Sequence, residues 1–187
     1  MRLLRSAVLY TALALGANAA FADMAAVEAL REGDMKKLMF HSDPAPASVK
    51  AFTDAEGQEL TLEAYKGKYA LVNFWATWCA PCRHEMPSLD RLQAELGGER
   101  FEVVTIATGR NPRPAIDKFF KQAEIQHLPV LLDPNMALAR ESGVLGLPVT
   151  ILLDPEGREI ARLIGDAEWD SDSAKAIIAA LAETDGS

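Results

Sequence analysis

The residues with the clearest chemical potential in this sequence are its two cysteines, Cys79 and Cys82. They follow the apolar stretch 69–76, which predicts a buried strand, and they open the stretch 81–96, which predicts a helix. Unpaired backbone amides and the helix dipole favour an anion at a helix N-terminus, so Cys79 is expected to be held as a thiolate and to act as the nucleophile. Cys82, one turn inside the helix, is expected to resolve a mixed disulfide.

Other uses of two cysteines must be weighed against a redox pair. A structural disulfide is one alternative, but closing so small a loop contributes only about 2 kcal/mol. A folded part of about 150 residues can bury its own core without such a bond. A zinc site is a second alternative, although it needs four ligands and the three histidines are far apart in sequence. Two inert thiols are a third. These alternatives leave a reactive pair as the favoured interpretation.

Two segments of the chain resemble the thioredoxin superfamily. The first runs from Phe74 to Arg83 and reads Phe-Trp-Ala-Thr-Trp-Cys-Ala-Pro-Cys-Arg, and the second runs from Gly146 to Thr150 and reads Gly-Leu-Pro-Val-Thr. The resemblance covers residues 45–182. Within the superfamily the chain looks most like the periplasmic TlpA/ResA-type reductases. It shares with them an N-terminal leader, the pattern Cys-x-x-Cys-Arg-x-Glu-x-Pro that ends at Pro87, and an inserted segment over residues 112–143.

The resemblance implies roles for residues around the disulfide. Pro148 matches the cis-proline that lies beside the reactive pair in such proteins, and a cis bond is a minority state that a fold must hold. The backbone of Leu147 would then pair with a bound client as a short added strand. Trp78 is expected to be an exposed aromatic contact for the client. Pro81 occupies the first helical turn, where its missing N–H is not felt, and it stiffens the loop between the sulfurs.

A second inference concerns the acid that accepts the proton of the resolving thiol. Thioredoxin carries a buried aspartate where this chain has Asn73, and an amide cannot accept that proton. Glu85 lies three residues after Cys82, on the same face of the predicted helix, and it matches an acidic residue of ResA-like proteins. We therefore expect Glu85 to be the proton acceptor. A solvated helix glutamate is the alternative.

The remaining neighbours of the cysteines receive simpler interpretations. Trp75 is expected in the core, and His84 is expected to be a surface histidine. Arg83 could add a positive field near the thiol. Pro87 lies inside the helix and removes the hydrogen bond to the carbonyl of Arg83, so it should bend the helix.

The chain begins with features of a secretory leader. Arg2 and Arg5 precede the apolar stretch 6–17, and Ala20-Phe21-Ala22 forms an A-x-A cleavage pattern. Residues 1–22 are therefore predicted to be a signal peptide that is cleaved on export to the periplasm. An uncleaved membrane anchor is the alternative, although the apolar stretch is shorter than the roughly 20 residues of a spanning helix.

The rest of the chain predicts one helix-and-linker segment followed by one domain. Residues 23–44 are assigned to an N-terminal helix and linker, because the apolar spacing is helical up to Met39 and the segment 41–48 contains two prolines. Residues 45–187 are assigned to a thioredoxin-like domain of the α/β class. It is predicted to have a mixed central β-sheet flanked by helices, an N-terminal β-hairpin and a central inserted αβ segment. The predicted strands are 49–53, 59–62, 69–76, 101–107, 129–132, 149–153 and 159–164, and the predicted helices are 81–96, 113–124, 135–141 and a final helix through residue 181.

Composition narrows the class of function. The formal net charge is -8, and no run of lysine and arginine is interleaved with aromatic residues, which argues against nucleic-acid binding. Nothing in the sequence indicates a bound metal or other cofactor, and nothing indicates an assembly larger than a monomer.

The expected activity is thiol–disulfide exchange with exported proteins, and the resemblance favours reduction of their disulfides. It also implies a membrane thiol donor of the CcdA or DsbD type, and clients whose cysteines must be reduced for cytochrome c maturation or copper delivery to an oxidase. Two other functions stay open. One is a copper(I)-binding thiol chaperone, since two thiolates suit that soft ion. The other is a thiol peroxidase, although the proline expected before its cysteine is missing.

Overall fold

A computed structural model of the protein describes residues 24–184. The predicted leader, residues 1–22, lies outside the described residues. Eight strands form one mixed sheet in the order β1-β8-β7-β4-β5-β6-β2-β3. Their bounds are β1 Met39–Pro46, β2 Phe52–Thr53, β3 Glu59–Leu60, β4 Tyr69–Trp75, β5 Phe101–Thr108, β6 Leu131–Asp133, β7 Val149–Leu153 and β8 Arg158–Ile164. The α-helices that follow β1 are α1 Ala80–Leu96, α2 Arg113–Gln122, α3 Ala137–Glu141 and α4 Asp172–Thr184.

Strand β4 lies at the centre of the sheet and carries the reactive segment at its carboxyl end. It pairs in parallel with β5 and antiparallel with β7, and all seven of its residues are buried. This is what the continuous apolar run predicted, since a strand covered on both faces has no polar side to expose. The sheet is the mixed, helix-flanked sheet expected for the α/β class.

Side chains of β4 alternate between two cores. Leu71 and Trp75 pack with apolar residues of α1, α2 and α4, whereas Val72 and Phe74 pack with α3 and the 3₁₀ turn Leu62–Tyr65. Because the period of a strand is two, Asn73 faces the same side as Leu71 and Trp75. The polar Asn73 is thereby directed at α1, the helix that begins at the cysteines.

Helix α1 ends where the sequence predicted, at Gly97. A β-carbon at that position would lie 2.4 Å from the carbonyl oxygen of Gln93, which is closer than real side chains approach. Glycine therefore allows the chain to leave the helix tightly and enter β5. The helix continues through Pro87 as one element; the bend expected there stays a prediction.

The segment before the domain differs from the prediction. Residues 24–29 are helical, Gly33–Lys37 form a 3₁₀ turn, and the expected linker over residues 41–48 is mostly strand β1. Strand β1 pairs antiparallel with β8, with an irregular register between Phe40 and Ala45. The linker interpretation was wrong because an edge strand tolerates proline, whose missing N–H can face away from its neighbour.

The predicted hairpin and insert both form. Strands β2 and β3 are antiparallel, and the turn between them is closed by Asp54 Oδ1, which accepts hydrogen bonds from the amides of Glu56 and Gln58. The insert contributes α2, β6 and α3, and β6 joins the sheet between β5 and β2. Within residues 24–184, no helix combines the length and the apolar character required to cross a bilayer.

Candidate active site

The two cysteines form a disulfide at the N-terminus of α1. Cys79 is the N-cap residue with extended backbone angles, and the amide of Cys82 donates a hydrogen bond to its sulfur at 3.3 Å. The sulfur of Cys79 thus occupies the place of a capping oxygen, where unpaired amides favour negative charge. Cys79 is 6% exposed and Cys82 is 0% exposed. Cys79 is therefore the more exposed residue of the pair; its role as the nucleophile stays a prediction.

The end of β4 holds this turn in place. Trp75, the last residue of β4, is 1% exposed, and its ring centroid lies 5.6 Å and 5.9 Å from those of Phe119 and Phe120 on α2. The amide of Cys79 then donates to the carbonyl of Ala76 at 3.1 Å. The predicted core position of Trp75 is confirmed, and it anchors the chain four residues before the nucleophile.

A cis peptide bond joins Leu147 and Pro148, as predicted. Val149, the next residue, pairs with Phe74 of β4, so the proline lies at the end of the sheet from which the cysteines emerge. Its carbonyl accepts a hydrogen bond from the amide of Gly165 at 3.0 Å. Pro148 is buried and Leu147 is partly exposed.

Glu85 is buried rather than solvated, with 1% of its surface exposed. Its Oε1 atom accepts from Asn73 Nδ2 at 2.8 Å, and its Oε2 atom accepts from the amide of Ala167 at 3.2 Å and from Trp169 Nε1 at 3.0 Å. Burial raises the pKa of Glu85 to about 7, although these three donors act in the opposite direction and Asp166 adds to the rise. A carboxyl that titrates near neutrality is suited to exchange protons with a thiol.

Asn73 connects this carboxyl to the sheet. Its Nδ2 atom also donates to Thr150 Oγ1 on β7 at 2.9 Å, while its Oδ1 atom is buried without a hydrogen-bond partner among the described residues. Asn73 therefore serves Glu85 as a hydrogen-bond donor, and the carboxyl that contacts position 73 belongs to α1.

Other predicted residues are distributed around the disulfide. Trp78 is 67% exposed, as expected for a contact residue, and Pro81 is also exposed. His84 lies at the surface with its Nδ1 atom 3.4 Å from Asp166 Oδ2. Arg83 stacks over the ring of Phe119, 5.2 Å from its centroid, so its guanidinium is held by α2.

Two residues of the site had no signal in the local sequence. Asn111, in the loop before α2, accepts hydrogen bonds from the amide and hydroxyl of Thr77 at 2.7 Å and 3.0 Å. Trp169, in the loop before α4, binds Glu85 as described. Both contacts join segments that are distant in sequence, and only the fold brings them together. Within residues 24–184, no group of three or more His, Cys, Asp or Glu side chains could hold a metal ion.

Comparison with known proteins agrees with this geometry. The Redoxin family profile matches residues 41–178. The thiol-disulfide oxidoreductase ResA of Bacillus thuringiensis is 32% identical over 114 residues, which is 61% of this chain and 65% of that protein. ResA of Bacillus subtilis is 31% identical over 112 residues, which is 60% of this chain and 62% of that protein. The chain thus spans less than two thirds of the length of these relatives.

Solved structures show the same fold. The crystal structure of a putative thiol:disulfide interchange protein DsbE from Chlorobium tepidum is 28% identical and covers 75% of this chain and 98% of its own, with a TM-score of 0.64. That of the exposed lipoprotein thioredoxin Etrx1 from Streptococcus pneumoniae is 28% identical and covers 73% and 99%, with a TM-score of 0.59. Together with the disulfide at the start of α1 and the cis-proline beside it, these matches show that the chain belongs to the Redoxin family, as a TlpA/ResA-like member of the thioredoxin superfamily.

Proposed function

We propose that the protein is a thiol–disulfide oxidoreductase that reduces disulfides of other proteins outside the cytoplasm. One observation carries this proposal: a disulfide closes the first turn of α1, with Cys79 as the N-cap and Cys82 fully buried behind it. The matched relatives are named as thiol-disulfide oxidoreductases, which supports the proposed activity. The steps of the reaction follow from residues of this chain.

The first step is the attack of the Cys79 thiolate on one sulfur of a client disulfide. The client's S–S bond breaks, a bond forms between Cys79 and the attacked sulfur, and the other client sulfur leaves as a thiolate that takes a proton from water. The amide of Cys82 and the positive N-terminal end of the α1 dipole stabilise the Cys79 thiolate beforehand.

The second step releases the client. Cys82 gives its thiol proton to the Glu85 carboxylate and attacks the sulfur of Cys79, so that the bond between Cys79 and the client breaks. The client sulfur leaves as a thiolate that takes a proton from water, and Glu85 returns its proton to the solvent. The client has then gained two electrons and two protons, while the protein keeps the Cys79–Cys82 disulfide. Glu85 can accept this proton at neutral pH because its pKa lies at about 7.

Client binding uses the surface around the cis-proline. Leu147, which is partly exposed next to the buried cis-proline Pro148, would offer its backbone to an extended client segment. Trp78, which precedes Cys79 and is 67% exposed, would provide an apolar contact for the client. Pro81 is also exposed and would add an uncharged side chain to this client-binding surface.

The compartment and the partners follow from the predicted leader and the proposed direction. A protein exported to the periplasm has no cytoplasmic reductant there, so a membrane thiol donor of the CcdA or DsbD type would regenerate the dithiol. Clients would be exported proteins that need free cysteines to bind haem or copper, as in cytochrome c maturation or oxidase assembly. The protein would act as a monomer and without a cofactor of its own.

The reduction potential of the Cys79–Cys82 couple tests the direction. Equilibration with glutathione buffers, followed by alkylation and mass analysis, should place the couple near the thioredoxin value of about -270 mV. A value near the DsbA value of about -120 mV would overturn the reductase and favour an oxidase. A Cys82→Ser variant provides the matched control for activity, because it should form a stable mixed disulfide with a client and release no product.

A further inference from the structure

We propose that Trp169 is a positioning residue of the redox site: its indole N–H holds the Glu85 carboxylate in the orientation and charge state in which it receives the proton of Cys82. This inference rests on the proposed function, since it assigns a task to Glu85 in the second step of exchange. It adds a residue that lies 84 positions away in sequence and outside the motif around the cysteines.

Trp169 contacts Glu85 in two ways. Its indole Nε1 donates to Glu85 Oε2 at 3.0 Å. Its backbone amide donates to Ser88 Oγ at 3.0 Å, and that hydroxyl donates in turn to the carbonyl of Glu85 at 2.7 Å. Trp169 is 1% exposed, so both bonds are protected from water. The indole therefore fixes the carboxyl group relative to the backbone of α1.

The loop that carries Trp169 is itself held from several sides. Gly165 donates to the carbonyl of Pro148, and the Lys37 ammonium donates to the carbonyl of Asp166. The amide of Glu168 donates to Asp34 Oδ2 at 3.2 Å. The loop thus joins the cis-proline, the segment before β1 and the buried carboxyl. A donor on so restrained a loop keeps its direction during the reaction.

The charge balance around Glu85 shows what the indole contributes. Asn73 on β4, Ala167 and Trp169 in the loop donate to the carboxylate and lower its pKa, whereas burial raises it and the nearby Asp166 raises it further. The Nδ1 atom of His84 lies 3.4 Å from Asp166 Oδ2, and His84 is not among the groups that shift the pKa of Glu85. A hydrogen bond to a charged group contributes about 1.5–3 kcal/mol, so loss of one donor should raise the pKa by roughly 1 to 2 units. The carboxyl would then be protonated at neutral pH and could not take the thiol proton.

The wild-type protein allows a test that needs no variant. In the oxidised protein neither cysteine titrates, so in the chain labelled with ¹⁵N-tryptophan and ¹³C-glutamate the assigned carboxyl resonance of Glu85 can be followed without a thiol titration beside it. The indole resonance of Trp169 should shift with pH at the same midpoint as the carboxyl carbon of Glu85. The indole resonances of Trp75 and Trp78 serve as internal controls and should not follow that midpoint. An indole of Trp169 that is insensitive to the titration of Glu85 would overturn the inference.

Variants test whether the hydrogen bond from Trp169 to Glu85 affects release of the mixed disulfide. In Trp169→Phe the midpoint of the Glu85 carboxyl carbon, and the pH at which release of the mixed disulfide is half-maximal, should both move up by roughly 1 to 2 units. Trp75→Phe is the matched control, since it also shortens a buried tryptophan but leaves the donors of Glu85 in place. Equal midpoints in Trp169→Phe and wild type would refute the role of Trp169. Glu85→Gln separates the two proposals: if it leaves the release step unchanged, Glu85 is not the proton acceptor, whatever Trp169 does.

Discussion

The side chain of Asn111 binds the active-site turn at Thr77, two residues before Cys79. Its Oδ1 atom accepts from the amide of Thr77 at 2.7 Å and from the hydroxyl at 3.0 Å. Its Nδ2 atom donates to the carbonyls of Thr108 and Gly109 at the end of β5. One amide therefore ties the turn after β4 to the turn after β5, and both of its polar atoms are used.

Removal of this amide should loosen the turn. Asn111→Ala is expected to lower the free energy of unfolding by about 1–3 kcal/mol, because the amide and hydroxyl of Thr77 lose their acceptor. Guanidinium titration measures the change. Asn135→Ala provides the matched control, since Asn135 is exposed, and it should change stability by less than about 0.5 kcal/mol. Equal stability of the two variants would show that the Asn111 contacts contribute nothing.

The reactivity of the reduced cysteines tests the role of the helix N-terminus. Cys79 should be alkylated first and at a lower pH than a free cysteine, whose pKa is about 8.5, because the amide of Cys82 stabilises its thiolate. Iodoacetamide labelling from pH 5 to 9 with peptide mass analysis measures both sites. Cys82→Ser isolates the Cys79 rate. If Cys82 reacted first, the assignment of nucleophile and resolving residue would be reversed.

Much of this site could be predicted because its signals are local. The apolar run from Tyr69 to Trp75 and the two cysteines after it define a strand, a turn and the start of a helix within one short segment of sequence. The peptide before Pro148 and the acid at Glu85 were recognised from their places in the motifs; the structure shows that the peptide is cis and that Glu85 is buried.

The errors and omissions have a common physical cause, which is pairing over long distances in sequence. Strand β1 was taken for a linker because its prolines favour a loop locally, yet its partner is β8, more than 110 residues later. The donors on Glu85 from Ala167 and Trp169 are 82 and 84 residues away. Local sequence patterns do not predict such contacts, because the contacts depend on which strands and loops lie next to each other in the folded sheet.

The exposed ring of Trp78 should matter for clients and not for folding. Trp78→Ala is expected to raise the KM for a protein disulfide several-fold and to leave the rate with a small disulfide such as glutathione disulfide unchanged. Its free energy of unfolding should change by less than about 0.5 kcal/mol, because the ring is 67% exposed. Trp75→Ala is the contrasting variant, with a loss of about 3–5 kcal/mol from the buried core. A uniform loss of rate with both substrates would exclude a client-specific contact.

The buried carboxyl of Glu85 should make stability depend on pH in a defined direction. Its pKa is raised from 4.5 to about 7 in the folded protein, chiefly by burial. Below pH 4.5 both folded and unfolded chains are protonated at this site, and its contribution to stability is fully present. As the pH rises towards 7 the unfolded chain ionises first, so stability is lost across this window and is constant above it. A difference of about 2.5 units corresponds to about 3 kcal/mol.

Glu85→Gln removes this titration while keeping the shape of the side chain. Urea unfolding at pH 4 and pH 8 should therefore show that wild type loses about 3 kcal/mol more than Glu85→Gln over that interval. Glu99→Gln, at an exposed position next to the end of α1, controls for the loss of one negative charge and should follow the wild-type profile. Parallel profiles of wild type and Glu85→Gln would mean that Glu85 ionises as readily in the folded protein as in the unfolded chain. A carboxyl with that behaviour would already be fully ionised at neutral pH and too weak a base to take the proton of Cys82.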